Sequence, residues 1–304
     1  MIHLLSLNPA LDFFFKLKSG PGKVGLLQDA SVEAGGKALN LARFLRGMRT
    51  PAVTWLGTGG GSDPTHLLFR ALLEKERLKV RYLGGSAPIR FTAVFSQGGL
   101  SQKFNHPGFE VDLTRFGNFL KGLKPGDLVI LTGRLPAGMS DSLYASWVKA
   151  LGKRGVRVAL DSSGSPLGKA LAQRPWFVKV NLFEMSEALN MKIPNLKGFI
   201  RILPRLLRSG LLQGAVTNGA EGAVVWNGSK ACRVWSPAKV KGQVVGAGDG
   251  FLAGYLKGTQ GRMSFKQTAR LACAAGLTVA QGGIRAFDPK QVERNLKHIK
   301  WTEL

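Results

Sequence analysis

The 304-residue chain is poor in the residues that most often announce a function. It has two cysteines, Cys232 and Cys273, too few for a disulfide framework. Both sit among apolar neighbours, where a thiol packs as a small core residue. Its four histidines, His3, His66, His106 and His298, never pair with a cysteine or another histidine at metal-ligand spacing, so no zinc centre is expected. No apolar run approaches the ~18 residues of a membrane span. The opening Met-Ile-His-Leu-Leu-Ser-Leu lacks the basic head, longer apolar stretch and small-residue cleavage site of a secretory signal. It reads instead as a first buried strand. The expected setting is the reducing cytoplasm, with no membrane partner.

Acidic residues are also scarce. Asp plus Glu number 18 against 43 Lys plus Arg, a formal charge of +25. Such a surplus attracts polyanions. The basic residues are scattered, however, and no zinc-finger, basic-zipper or RNA-recognition signature is present, so nucleic acid is not the expected partner. Small anions such as nucleotides and sugar phosphates account for part of the charge. Several nucleotide motifs are missing. Gly22-Lys23, Gly36-Lys37, Gly152-Lys153 and Gly168-Lys169 are never followed by Ser or Thr, which excludes a Walker A loop. The run from Gly57 to Ser62 lacks the last glycine of the dinucleotide fingerprint. No G-x-S-x-G elbow occurs.

What remains is a chain able to build a large core, 44% hydrophobic with forty glycines. Short apolar strands are expected at 3–7, 52–56, 127–132, 156–160, 176–180 and 213–217. Amphipathic helices are expected at 37–48, 64–77, 141–153, 182–190, 197–209, 247–258 and 264–281. This alternation predicts one α/β domain, a mostly parallel sheet with helices on both faces. Two stretches, 10–33 and 89–105, break the rhythm. The second alternates like a hairpin turning at Gly98-Gly99 and suits a flap over a cleft. A further hairpin is expected in 222–235, around Asn227-Gly228.

Two glycine-rich turns carry the chemistry. In Val244-Val245-Gly246-Ala247-Gly248-Asp249-Gly250 the turn leads into a helix, whose converging N–H groups and positive N-terminal potential cradle a phosphate. Asp249 adds unwelcome negative charge there. It makes sense as a base taking a proton from a hydroxyl beside an incoming phosphoryl group, or as a helix cap. In Ala34-Gly35-Gly36-Lys37-Ala38-Leu39-Asn40-Leu41-Ala42-Arg43, Lys37 and Arg43 offer charge and Asn40 both donates and accepts. That set suits a polyhydroxy or phosphorylated ligand, or a solvated helix face.

Together these turns resemble the two signature motifs of the PfkB/ribokinase family of ATP-dependent sugar kinases, in the same order and with similar separation. Further segments follow in register along almost the whole chain. Leu7-Asn8-Pro9-Ala10-Leu11-Asp12 resembles the opening of the family's phosphosugar branch, and Gln102-Lys103-Phe104-Asn105-His106-Pro107-Gly108 resembles its lid segment. Leu131-Thr132-Gly133-Arg134-Leu135-Pro136 resembles S-G-S-L-P, and Asp161-Ser162-Ser163-Gly164 matches D-S-S-G. Lys179-Val180-Asn181-Leu182-Phe183-Glu184 resembles K-P-N-x-x-E, and Val216-Thr217-Asn218-Gly219 resembles the nucleotide-side V-T-x-G.

The resemblance implies a ribokinase-like three-layer sandwich, with lid segments near 10–33 and 89–105 inserted in a single domain. It implies ATP and Mg²⁺, and transfer to a primary hydroxyl of a small sugar. The phosphosugar branch points to a ketohexose phosphate: fructose 1-phosphate, tagatose 6-phosphate or fructose 6-phosphate. By the same resemblance Asp249 is the base, and Gly246, Ala247 and Gly248 form the anion hole. Asp12, Gly36 and Asn40 meet the sugar; Lys37, Arg90, Lys23 and Arg134 are candidates for its phosphate. Asn181, Thr217 and Gly219 lie by the nucleotide, and Glu184 touches Mg²⁺ through water. Asp161 is expected to organise a loop or cap. The lid strands are expected to pair two subunits.

Departures from the family pattern fall at Val244 and Gly250, which replace hydroxyl residues, at Ala38, Val180 and Thr92, and at Arg134. Rival expectations are a kinase for an unphosphorylated sugar or nucleoside, a non-catalytic sensor on the same fold, and a polyanion-binding protein.

Overall fold

The computed structural model describes residues 1–18, 26–51, 53–85, 87–98, 100–238, 240 and 245–304. Lys23 and Val244 lie outside the described residues. The chain runs β1 (Ile2–Ser6), β2 (Ala10–Leu17), β3 (Leu27–Gly35), α1 (Lys37–Gly47), β4 (Val53–Thr58), α2 (Pro64–Glu74), β5 (Val80–Gly84), β6 (Arg90–Gln97) and β7 (Leu100–Asn105). It continues through α3 (Thr114–Lys121), β8 (Leu128–Thr132), α4 (Leu143–Gly152), β9 (Arg157–Asp161), α5 (Gly164–Leu171), β10 (Phe177–Asn181), α6 (Leu182–Ala188) and α7 (Leu196–Arg208). It ends with β11 (Gln213–Thr217), β12 (Ala223–Asn227), β13 (Ala231–Trp235), α8 (Ala247–Gln260), α9 (Phe265–Gly282), α10 (Pro289–Leu296) and β14 (Lys300–Glu303).

Ten strands form one sheet in the order β14-β13-β12-β11-β10-β9-β8-β1-β4-β5. Every pairing from β5 across to β11 is parallel; β12, β13 and β14 are antiparallel. The central strands are apolar on both faces because both are covered. Leu4, Leu128 and Ile130 point into one core with α1, α8 and α9; Leu5, Val129 and Leu131 point into the other with α4, α5 and α7. This is the expected three-layer sandwich.

The two rhythm-breaking segments assemble into a second sheet of four strands, β3-β2-β6-β7. Its inner pair, β2 and β6, is parallel, with Ala10 opposite Arg90 and Asp12 opposite Thr92. The hairpin over 89–105 is present, with Gly98 at φ +56° in its turn. The 222–235 hairpin is present as β12 and β13.

Helix α8 approaches α9 closely. A Cβ on Gly250 would stand 2.6 Å from Val279 Cγ2, and one on Gly254 would stand 2.6 Å from Leu271 O. That packing is a physical reason for the missing hydroxyl at 250: no side chain fits between the helices there.

Candidate active site

The carboxyl ends of β9 and β10 meet the N-termini of α1 and α8 on one face of the large sheet, the place where open α/β sheets take ligands. Both helices start on glycine. Gly36 holds φ +116° and Gly246 holds φ +82°, conformations that favour glycine. Neither supplies a side-chain cap, so the foremost N–H groups of each helix are left for a ligand, while in α1 Leu39 N and Asn40 N already donate to Gly36 O at 3.0 and 3.1 Å. Asp249 is the third residue of α8 and does not cap it.

Asp249 is 5% exposed. Its Oδ2 accepts from Asn40 Nδ2 at 3.0 Å, which joins the two helix starts. Burial, reinforced by the nearby Asp161 carboxylate, pushes the Asp249 carboxyl up to about 6; Lys37, Lys179 and the Asn40 bond oppose the rise. A carboxylate that is ionised at neutral pH and only weakly acidic suits proton acceptance.

Asp161, the last residue of β9, corrects the expectation of a cap or loop organiser. It is 1% exposed and clamps two lysines. Lys37 Nζ lies 2.8 Å from its Oδ1 and Lys179 Nζ lies 3.3 Å from its Oδ2. Burial opposes ionisation, but the two ammonium groups and their hydrogen bonds win and hold the Asp161 carboxyl below its ordinary value. Lys37 is correspondingly raised: burial lowers it, and Asp161, Asp249 and Glu184 more than compensate. A Cβ on Gly248 would stand 2.5 Å from Lys179 Nζ, so that ammonium is tucked against the first turn of α8. Sequence reasoning assigned Lys179 no role. Its signal was there: a lone cation in the apolar run Phe177-Val178-Lys179-Val180, on a strand buried on both faces.

The remaining candidates form outlying groups. At the base of the small sheet, Asp12 is half-buried in β2, and a Cβ on Gly35 would stand 2.0 Å from its Oδ2. Arg90 begins β6; its guanidinium donates to Asn8 O at 3.1 Å, Thr92 Oγ1 at 3.4 Å and His106 O at 3.5 Å. Burial lowers its pKa, and the Asp12 charge opposes this. A second group sits at the ends of β10 and β11, where Asn181 pairs in register with Thr217. Asn181 and Glu184 form a reciprocal cap on α6: Asn181 Oδ1 accepts from Glu184 N at 2.8 Å, and Glu184 Oε2 accepts from Asn181 N at 2.9 Å. Thr217 Oγ1 donates to Val180 O at 3.4 Å, and Gly219, at φ +49°, faces open space. Arg134 stands exposed, with Nε 3.3 Å from Ser163 Oγ.

The geometry therefore offers a buried base, an amide that touches it, two ammonium groups locked by one carboxylate, and two uncapped helix starts. This is equipment for moving an anionic group onto a hydroxyl. The profile of the pfkB family carbohydrate kinases matches residues 11–290, and the chain belongs to that family. It is a phosphotransferase acting on a carbohydrate, with ATP the donor that membership implies.

Among its relatives, the 1-phosphofructokinase of Escherichia coli (strain K12) is 31% identical over 303 residues, covering 97% of this chain and 96% of that protein. The 1-phosphofructokinase of Bacillus subtilis (strain 168) is 26% identical over 313 residues, covering 100% of each. The phosphofructokinase-2 of Escherichia coli, solved in complex with fructose-6-phosphate, shares the fold. Its TM-score is 0.86 at 23% identity, over 97% of this chain and 98% of that one.

Among the described residues no helix is long and apolar enough to cross a membrane, and no group of three or more His, Cys, Asp and Glu could cage a metal ion. The two cysteines are buried and unbonded.

Proposed function

We propose that this chain transfers the γ-phosphoryl group of ATP to the primary hydroxyl of a ketohexose phosphate, with fructose 1-phosphate the first candidate. The observation that carries the reading is the buried Asp249 carboxylate at the open start of α8, hydrogen-bonded to Asn40. The 1-phosphofructokinases that match at full length support the choice of sugar.

Asp249 accepts the proton of the acceptor hydroxyl as that oxygen attacks phosphorus in line. The N–H groups of Gly246, Ala247 and Gly248 face the charge that develops on the transferred group, and act because they are already aimed there. Lys179, against Gly248, and Lys37 add fixed positive charge on the same side. Asp12, Gly36 and Asn40 hold sugar hydroxyls. Arg90, Lys37 and Arg134 are the described candidates for the sugar's own phosphate, and Arg90 must exchange backbone contacts for it. Asn181, Thr217 and Gly219 line the nucleotide side.

Mg²⁺ keeps most of its water, so it needs one nearby carboxylate oxygen more than a cage. Glu184 fits that need: Oε2 caps α6, and the other carboxylate oxygen would help hold the ion. When bound, the ion neutralises phosphate charge. We also place the protein in the cytoplasm. A homodimer through β7 is part of the reading, because that strand is a fully exposed edge carrying Leu100 and Phe104. Light scattering that finds a monomer ends the dimer proposal.

The test is ADP release with ATP and a panel: fructose 1-phosphate, fructose 6-phosphate, tagatose 6-phosphate and the free sugars. Highest kcat/KM on a phosphorylated ketohexose, abolished in Asp249→Asn, is the expected result. Preference for the free sugars overturns the substrate class, and near-normal turnover in a folded Asp249→Asn overturns the base.

A further inference from the structure

Asn40 meets Asp249 with one end of a side-chain amide, and the two ends of an amide are nearly the same size. Only the N–H end stabilises a carboxylate; the oxygen end repels it. Something must hold the amide the right way round. Arg43, one turn further along α1, does so geometrically. Its Nη1 donates to Asn40 Oδ1 at 3.2 Å. A guanidinium has donors only, so the atom facing it must be the amide oxygen, and the N–H end is turned to Asp249.

Arg43 is itself held from two other elements. Its Nε donates to Glu76 Oε2 at 2.6 Å, and its Nη2 pairs with Glu76 Oε1. The same Nη2 donates to Ala34 O at 2.6 Å. Glu76 follows the end of α2, and Ala34 belongs to β3. The grip on the carboxylate is two-pronged, which fixes direction as well as distance. Both side chains are partly buried. Arg43 is thus no free cation for a phosphorylated ligand, as its place in the sequence suggested; Glu76 neutralises it.

We propose that Arg43, anchored by Glu76, is a positioning residue for phosphoryl transfer, setting the Asn40 amide so that its N–H end meets the base. The inference rests on the reading of Asp249 as that base. The other charged groups facing Asp249 are Lys37 from α1, Asp161 from β9 and Lys179 from β10, and substitution of Arg43 leaves all three in place. Without Arg43 the amide samples both orientations. The Asp249 carboxylate then loses its donor part of the time and holds its proton more tightly.

The experiment measures kcat against pH for the full chain, with ATP and the best sugar phosphate of the panel. Arg43→Met keeps the apolar stem; Arg43→Lys keeps the charge without the fork. A donor to an ionised group sets the scale, so kcat in Arg43→Met is expected to fall roughly 10- to 100-fold. The acid limb moves to higher pH, and the KM for ATP changes little. Glu76→Gln moves the limb the same way by less. Arg43 also lines a cavity of about 450 Å³ with Phe44, Leu72 and Glu76. Added ethylguanidinium can therefore enter Arg43→Ala, and it is expected to restore about tenfold of the lost kcat while returning the limb.

An unmoved limb in Arg43→Met overturns the proposal. So does lost activity with no displacement of the limb and no rescue, the signature of damage to the fold alone. If Arg43→Met does not fold, the limb of Arg43→Lys decides in the same way. Asp249→Asn run in parallel separates the two ideas. If it keeps turnover, the base is elsewhere and this inference falls with it. If it is inactive while the Arg43 variants keep their limb, only the positioning role is lost.

Discussion

The strongest test of the site's electrostatics is a stability measurement on Asp249→Asn. The Asp249 carboxyl stands at about 6 in the fold, against an ordinary 3.8, because it is buried beside Asp161. A folded pKa above the unfolded one means that the native state binds the proton more tightly. Stability from this group is therefore present at low pH and is lost as pH rises from about 4 through about 6. A rise of roughly two pH units corresponds to about 3 kcal/mol, which the ionised carboxylate takes away from the fold at neutral pH. Asparagine keeps the shape and the approach of Asn40 but carries no charge. At pH 7 the variant is expected to be more stable than the parent by about 3 kcal/mol, with catalysis lost. Urea denaturation of both proteins at several pH values measures this. The difference should shrink below about pH 6 and vanish near pH 4. Other titrating groups, Asp161 included, are present in both proteins and largely cancel. A variant equally or less stable at pH 7, or a difference that does not depend on pH, refutes the picture of a carboxylate held charged at a cost to the fold.

Two further outcomes follow from the same contacts. Asp161→Asn removes the shared partner of Lys37 and Lys179 and should cost about 3–5 kcal/mol in denaturant unfolding. With one fewer anion beside Asp249, the acid limb of kcat should also move to lower pH, opposite to the Arg43 variants. Gly248→Ala and Gly246→Ala should separate activity from stability. The first pushes the buried Lys179 ammonium from its seat beside Asp161, so kcat should fall, with a smaller loss of melting temperature than Asp161→Asn causes. The second puts a side chain at φ +82° and 2.6 Å from Ile284, and should lower the melting temperature by several degrees.

Periodicity exposed six of the seven parallel strands of the large sheet because each of them is a short, mostly buried run; it missed β5, where Arg81 is exposed and only Leu83 is buried. It failed where packing, and not pattern, decides. In β2 three consecutive phenylalanines, Phe13, Phe14 and Phe15, hide an alternation that appears only as burial: Phe14 is exposed and its neighbours are half-buried. Helices α3 and α5 contain Gly117, Gly164 and Gly168, which weaken any local helical signal. The short edge strand β14, Lys-Trp-Thr-Glu, is polar and is defined by β13 beside it. At the site, glycine turns pointed to Gly36 and Gly246, and a charge out of place pointed to Asp249. Asp161 was visible but misjudged, since a strand-end aspartate looks like any loop former until Lys37 and Lys179 arrive from 124 residues before and 18 residues after it.

The strand order has a consequence for synthesis. β1 waits for β4 and then β8 as its two neighbours, so the middle of the sheet can close once about residue 132 has emerged. From there each later strand, β9 through β14, docks on the margin left by the one before it. Growth is therefore one-directional, and every nascent length past the middle presents a single fresh, unpaired margin to the solvent or to a chaperone. The helix bearing Asp249, α8, follows β13, so it emerges only after nine of the ten strands of the large sheet, and a ribosome-bound intermediate can own a nearly finished scaffold and still be chemically silent.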